Sequence, residues 1–451
     1  MKIFLKRQFI FIIIVYVFGL FENCAYSEPV IAGYYPSWIK TEFPAQNIAV
    51  DNLTHVLHAF VKPNTNGSLN YDSDFLYPLL NTRVHSAGKK ILVALGGWGG
   101  SAGFPSMAAN KQSRDNFVSI ITAFCINNNY NGIDIDWEHP ANAVDRENLV
   151  SLVKELRKAF DESGKELLIT MAVTAGSWNG QWIDYNSLIE FIDWFGCMTY
   201  DFHGSWTDHA GHNSPLYSPP SDHCGSVDAG FKYLNLTRKV PKEKILIGIP
   251  FYGKEFNASQ LYGPSTGGEK TFRYNEIIPL INNGWTYYWD NISMVPYLIN
   301  TGQTKLITFD DTLSVRLKCD YAREKGLAGV MIWALGYDVV GNRQLLLDTI
   351  GQFSLGICDS PPNVSSYELH QNYPNPFNDN TTISYSILHA THVKLEIIDI
   401  NGRVVSRLVD SYQTAQHYSI RFNAGNLSSG IYFFRLKTPI YTKTGKMILI
   451  K

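Results

Sequence analysis

Between Asn131 and Pro140 apolar and acidic residues alternate strictly. Ile133, Ile135 and Trp137 interleave with Asp134, Asp136 and Glu138. A period of two is that of an extended strand, whose side chains point to opposite faces in turn. The pattern therefore predicts a strand over 132–138 with one apolar and one triply acidic face. Asn131-Gly132 opens the run and Pro140 closes it, as strand ends do. Apolar runs predict seven more strands, at 30–35, 55–61, 90–96, 167–173, 194–200, 244–251 and 327–334. Between them the apolar spacing becomes helical, as over 112–127, 146–163 and 313–325. Eight strands alternating with helices over roughly 320 residues predict an α/β fold, a (β/α)8 TIM barrel. Strands of such a barrel are covered on both sides, which argues against a merely solvated acidic face.

Three like charges spaced by about 7 Å raise one another's pKa. An acid array of this kind lets one carboxyl keep its proton near neutral pH, which general acid catalysis requires. In a barrel the C-terminal strand ends share one mouth. Glu138, Tyr200-Asp201 and Trp333 stand at such ends and should converge there.

Two stretches do not fit a plain barrel. Residues 254–308 are too long for a strand-to-strand loop and carry Tyr287-Tyr288-Trp289, so a small α+β insertion domain is expected. After a linker at 356–367 (Ser360-Pro361-Pro362-Asn363 within it), the segment 368–451 reads as a small all-β sandwich. Its predicted strands are 393–400 and 403–408, flanking the hairpin signal Asn401-Gly402, and 431–436 and 446–450. Residues 1–27 read as a signal peptide: Lys2, Lys6 and Arg7, an apolar run over 9–21, then Ala25-Tyr26-Ser27. That run is too short for a bilayer span, which takes about 20 residues, so no stable membrane span is expected. The barrel domain then covers 28–355.

Composition narrows the partners. Lys+Arg is 38 and Asp+Glu is 40, so there is no charge-based reason to expect nucleic acid or an anionic membrane. Charged residues are only 17% and aromatics 14%, which suits stacking on a neutral ligand such as sugar. Cys125, Cys197, Cys224, Cys319 and Cys358 are odd in number and dispersed, so they are no disulfide framework, although one bridge is possible. Gly96-Gly97-Trp98-Gly99-Gly100 lacks dinucleotide or Walker spacing. His203, His209, His212 and His223 with Asp208 and Cys224 fit no standard metal spacing, so no metal and no cofactor are expected.

The acid run resembles the Asp-x-x-Asp-x-Asp-x-Glu signature of glycoside hydrolase family 18, the chitinases; its first acid is Asn131 here. The resemblance extends over about residues 30–352. Its carriers are Ala94-Leu95-Gly96-Gly97-Trp98, Met198-Thr199-Tyr200-Asp201, Phe202-His203-Gly204-Ser205-Trp206 with Gly211–Tyr217, Gly248–Gly253 and Met331-Ile332-Trp333. The strand-six stretch is similar to the branch containing the animal chitinases. The resemblance implies a secreted chitinase acting on chitin or N-acetylglucosamine oligosaccharides, with retention and help from the substrate's 2-acetamido group. It makes Glu138 the acid, Asp136 the acetamido partner, Asp134 the residue sharing a proton with Asp136, and Tyr200 the orienting hydroxyl. It makes Trp333 the floor of the reactive subsite, with Asp201, Met198, Trp98, Trp206, Tyr34, Tyr252, Phe60 and Met331 as further substrate-binding residues. His139 replaces a usual Tyr. Asn131, taken to hydrogen-bond Asp134 without holding charge, is expected to shorten the proton relay. A chitin-binding lectin and an endo-β-N-acetylglucosaminidase stay open as alternatives; the intact Glu138 and the insertion respectively argue against them.

The tail resembles the C-terminal sorting domain of type IX secretion, on Gln371–Asn378, Asp399–Arg403, Gly430–Phe433 and the basic end from Lys446. It implies a secretion machinery as partner and a secreted or cell-surface location. A monomer is expected.

Overall fold

The computed structural model describes residues 28–265, 270–354, 367–387, 391–413, 416–425, 427–438 and 441–451. The signal-peptide assignment, the linker assignment up to residue 366 and Cys358 lie outside these residues.

The eight expected barrel strands form: β1 (Val30–Pro36), β2 (His55–Pro63), β3 (Lys90–Gly96), β4 (Gly132–Asp136), β5 (Leu168–Thr174), β6 (Phe195–Met198), β7 (Ile245–Pro250) and β8 (Gly329–Trp333). Each pairs in parallel with the next, and β8 returns to β1, so the sheet closes. Closure leaves no exposed edge among these strands. Strand alternation sorts the side chains. Ile133, Ile135 and Trp137 join the apolar shell between strands and helices, with Leu149, Leu152 and Leu156 from the helix behind. The opposite face looks into the barrel, where Ala32, Leu57, Leu92, Ala94, Leu246 and Met331 pack. Small residues at several of these inner positions leave room for the larger polar groups above them.

Helices start where short polar side chains can take up free N–H groups. Asn110 Oδ1 accepts from Ser113 N (3.2 Å) at the head of helix Lys111–Asn127. Asn142 Oδ1 accepts from Asp145 N (3.0 Å) at the head of Ala143–Glu162. Helix Thr312–Lys325 starts on Asp311, whose Oδ1 accepts from Ser314 N (2.9 Å), and stops at Gly326, which has φ 68°.

Two strands stop two residues before their expected C-terminal ends. β4 ends at Asp136 rather than Glu138, and β6 at Met198 rather than Tyr200. The reacting ends have therefore left the ladder and rely on side-chain anchors.

The insertion is an antiparallel five-stranded sheet in the order 270–273, 252–256, 306–308, 295–300, 285–290, with a short helix at Tyr274–Ile277. The tail forms two antiparallel sheets, 368–369/380–387/416–423 and 404–413/391–398/430–437/442–449, around a core including Phe377, Ile383, Tyr385, Leu395, Phe434 and Met447. Strands 380–387 and 416–423 were not among the strands expected for this segment. The turn at Asn401-Gly402 is longer than a two-residue hairpin. Strands stop at Ile398 and resume at Val404, and Asp399 Oδ1 caps the loop by accepting from Asn401 N and Arg403 N, each at 2.9 Å. Among the described residues no helix is long and apolar enough to cross a membrane. Cys125, Cys197, Cys224 and Cys319 are free thiols.

Candidate active site

The acids of β4 climb the barrel interior. Asp134 is 2% exposed and is held by two hydroxyls, Tyr34 Oη donating to Oδ2 (2.6 Å) and Thr170 Oγ1 to Oδ1 (2.5 Å). Asp136, one pleat higher, is 4% exposed, and its Oδ1 is buried with no hydrogen-bond partner. Glu138 lies past the strand. Its backbone N–H donates to Ser101 Oγ (2.9 Å), which also reaches the carbonyls of Asp136 (3.1 Å) and Gly97 (3.3 Å). The close approach of β3 to β4 needs Gly96, with φ 101°: a Cβ there would sit 2.4 Å from the Asp136 carbonyl oxygen.

Burial without compensating cations sets the protonation. Asp136 is driven well above the usual carboxylate range by burial first, then by the charges of Glu138 and Asp134. Burial also raises Asp134, against which the Thr170 and Tyr34 hydroxyls act. Glu138 is pushed up to about 7, by burial first and then by Asp201. Burial and the same carboxylates keep the hydroxyls of Tyr34 and Tyr200 protonated. His139 Nε2 stands 3.6 Å from Glu138 Oε2, with burial holding the ring toward its neutral form.

The remaining expected residues fall around this column. Asp201 has φ 58°; its Oδ1 accepts from Tyr252 Oη (2.7 Å) and Lys254 Nζ (2.9 Å), and its N–H donates to Asn213 Oδ1 (3.1 Å). Tyr200 meets Tyr252 edge-on at 6.1 Å and needs Gly248 opposite, where a Cβ would lie 2.7 Å from the Tyr200 ring. Trp333 stacks on Phe60 (5.7 Å, 19°) and tilts against Tyr34 (5.3 Å). Met198 and Met331 pack in the same interior cluster, Met331 beside Gly196. Tyr34 is 1% exposed, so it supports Asp134 rather than presenting a surface.

Four tryptophans are exposed among the described residues: Trp38, Trp98, Trp178 and Trp206. Each follows the C-terminal end of a barrel strand: β1, β3, β5 and β6 respectively. Trp98 and Trp206 were expected. Trp38, which stacks on Phe60 at 6.4 Å, and Trp178 were missed, as were Ser101, Thr170 and Lys254. For the two tryptophans, position just past a strand end was the available signal; Thr170 and Lys254 lie inside strands and carried none. Lys254 Nζ lies 4.4 Å above the Trp206 ring, so it joins Asp201 to that tryptophan.

Asn131 contradicts its expected place in the relay. Its Oδ1 accepts from Ile91 N and from His85 Nε2, both at 2.8 Å, at the entry of β4. The offset of three from Asp134 is odd, so the two side chains leave opposite faces of the strand, roughly 10 Å apart along it.

A closed parallel barrel with a buried acid ladder beneath a rim of exposed tryptophans defines a glycoside-hydrolase type of protein. The chain belongs to glycosyl hydrolases family 18, which it matches over residues 30–338, and residues 371–451 match the secretion system C-terminal sorting domain. It is 35% identical over 312 residues to a probable chitinase 2 of Drosophila melanogaster, covering 63% of this chain and 62% of that protein. It is 33% identical over 345 residues to a probable endochitinase of Caenorhabditis elegans, covering 68% of this chain and 55% of that protein. The chain thus spans less than two thirds of either relative's length. Among solved structures, the group IV chitinase of Ostrinia furnacalis in complex with allosamidin superposes with a TM-score of 0.68 at 29% identity, covering 72% of this chain and 98% of that one.

Proposed function

We propose that the protein is a secreted chitinase that hydrolyses β-1,4 bonds between N-acetylglucosamine units with retention. The observation that carries this is the ladder itself: a carboxyl pushed up to about 7 at Glu138, directly above Asp136 with an unpartnered buried oxygen. Glu138 gives its proton to the glycosidic oxygen as the bond from C1 breaks. The substrate's 2-acetamido oxygen bonds to C1, forming an oxazolinium ion; such enzymes depart from the two-carboxylate scheme. Asp136 Oδ1 accepts the acetamido N–H, and positive charge on the ring favours its ionised form. The proton it sheds passes to Asp134, where Tyr34 and Thr170 can turn their hydroxyls. Tyr200 orients the acetamido carbonyl, and Trp333 on Phe60 gives the sugar an apolar floor. Glu138, now a carboxylate, takes a proton from the water that opens the oxazolinium ion from the face the leaving group vacated.

The exposed tryptophans at the mouth offer stacking surfaces for further sugars of a chain. The sorting domain would carry the enzyme to or beyond the cell surface, after an N-terminal export signal. The test is product analysis on chitin oligosaccharides with determination of the anomer released at early times. The β-anomer is expected, and Glu138→Gln, which keeps shape but removes the proton, should hydrolyse nothing while still binding oligomers. Cleavage of cellulose, or of fully deacetylated chitosan, would rule the mechanism out.

A further inference from the structure

The segment that follows β6 gathers a second set of ligating atoms apart from the acid ladder. One ligand atom each of His203, His209, Asp222 and Cys224 lie within 4.8 Å of one another. The two imidazole Nε2 atoms are 3.2 Å apart, and Asp222 Oδ1 is 3.3 Å from the first and 3.8 Å from the second. A tetrahedral zinc ion with bonds of about 2.0–2.3 Å sets its ligands roughly 3.3–3.8 Å apart. Three edges of such a polyhedron therefore stand near their final length.

The tautomers point the same way. His203 Nδ1 lies 2.9 Å from the His212 carbonyl oxygen, and His209 Nδ1 lies 2.7 Å from Asp208 Oδ1. Both partners only accept, so each Nδ1 carries a hydrogen and each ring turns its Nε2 toward the other. The two nitrogens face each other at 3.2 Å with a carboxylate oxygen beside them. Such a triad is held together by a cation among its members, which a metal ion supplies to all of them at once. A carbonyl or carboxylate behind each imidazole is also the usual outer partner of a metal-bound histidine. Asp222 has a 2% exposed side chain, and its other oxygen is buried without a partner.

We propose that His203, His209, Asp222 and Cys224 form a four-coordinate zinc site. Two imidazoles, a carboxylate and a thiolate favour zinc over calcium or magnesium, which take oxygen sets. Sequence spacing did not reveal the site because three of the residues first considered, His212, His223 and Asp208, are not among the four. His212 is engaged with Asp290 (3.1 Å), and His223 takes no part, whereas Asp222 was not counted. The role is structural. The ion would clamp both ends of the segment that carries Trp206, whose turn is already braced by Thr207 N–H donating to the Gly204 carbonyl (3.0 Å).

The test uses the purified full chain, without an affinity tag that binds metal. Zinc content is measured by mass spectrometry, and chelator-treated protein is titrated with zinc and with cobalt(II). The expected result is one equivalent bound, a rise in Tm on adding zinc, and a cobalt adduct with tetrahedral visible bands and a thiolate charge-transfer band. Cys224→Ser should lose that charge-transfer band, and His209→Ala should bind at least about tenfold more weakly. Should His209→Ala fail to fold by circular dichroism, the partly exposed Cys224 position carries the test alone. Folded wild-type protein that takes up neither ion overturns the site, as does uptake unchanged in Cys224→Ser and spectroscopically free of thiolate. A Tm that ignores added zinc would overturn it too.

Discussion

The charge of Asp201 should be visible in the pH dependence of a group that it does not touch. Asp201 is the second cause, after burial, of the rise of Glu138 from 4.5 to about 7. That rise of roughly 2.5 pH units corresponds to about 3.4 kcal/mol. Burial holds the larger part, so removing the Asp201 charge should lower the Glu138 midpoint by about one pH unit at most, which corresponds to about 1.4 kcal/mol. Asp201→Asn makes the change cleanly. Its φ of 58° suits Asn as well as Asp, and an amide oxygen can still accept from Tyr252 and Lys254. The Lys254 ammonium, no longer facing a carboxylate at position 201, pushes in the same direction. The sign follows from the role: a general acid works protonated, so activity is lost as pH rises through its pKa. In wild type the alkaline limb of kcat/KM should lie near pH 7, and in the variant it should fall earlier, toward about pH 6. The assay is kcat/KM on a soluble fluorogenic chitooligosaccharide from about pH 4 to 9. A fall in rate alone decides nothing, because Asp201 is itself proposed to contact the substrate. A limb that stays in place, or moves up, in a folded variant would refute the electrostatic argument.

Asn131→Asp should leave the pH–rate profile unmoved and kcat within about twofold, since its oxygen serves Ile91 N–H and His85 rather than the ladder; a displaced limb would contradict that placement. Lys318 is fully buried and bonded at 2.7 Å to both oxygens of Asp310 and to Ser214 Oγ, so Asp310→Ala should strand a cation and cost roughly 3–5 kcal/mol of stability by denaturant unfolding. A chain ending at Ile357 should keep full activity when purified, because the barrel and the tail have separate apolar cores; inactivity of that soluble protein would count against a tail that serves export alone. Thr170→Val removes one of the two donors to Asp134 and should reduce kcat by tenfold or more with little change in KM, read from steady-state kinetics on the same substrate.

Much of this was already written in the order of residues. Period-two alternation put Ile133, Ile135 and Trp137 on one face and the acids on the other, and the eight apolar runs closed as expected, because alternation and strand count are local properties of a chain. The insertion and the β-rich tail were equally legible from length and composition. Three-dimensional packing decided the rest. It shortened β4 and β6, leaving Glu138 to Ser101 and Asp201 to Asn213, partners that no motif spacing announces. It sent Asn131 to the opposite face of its strand, where a motif read as a string had placed it beside Asp134. It brought Trp38 and Trp178 to the same mouth as Trp98 and Trp206, and Asp222 and Cys224 to the two histidines ahead of them. The pKa of Glu138 belongs to this second group, since burial and a neighbouring charge exist only once distant segments have closed around it.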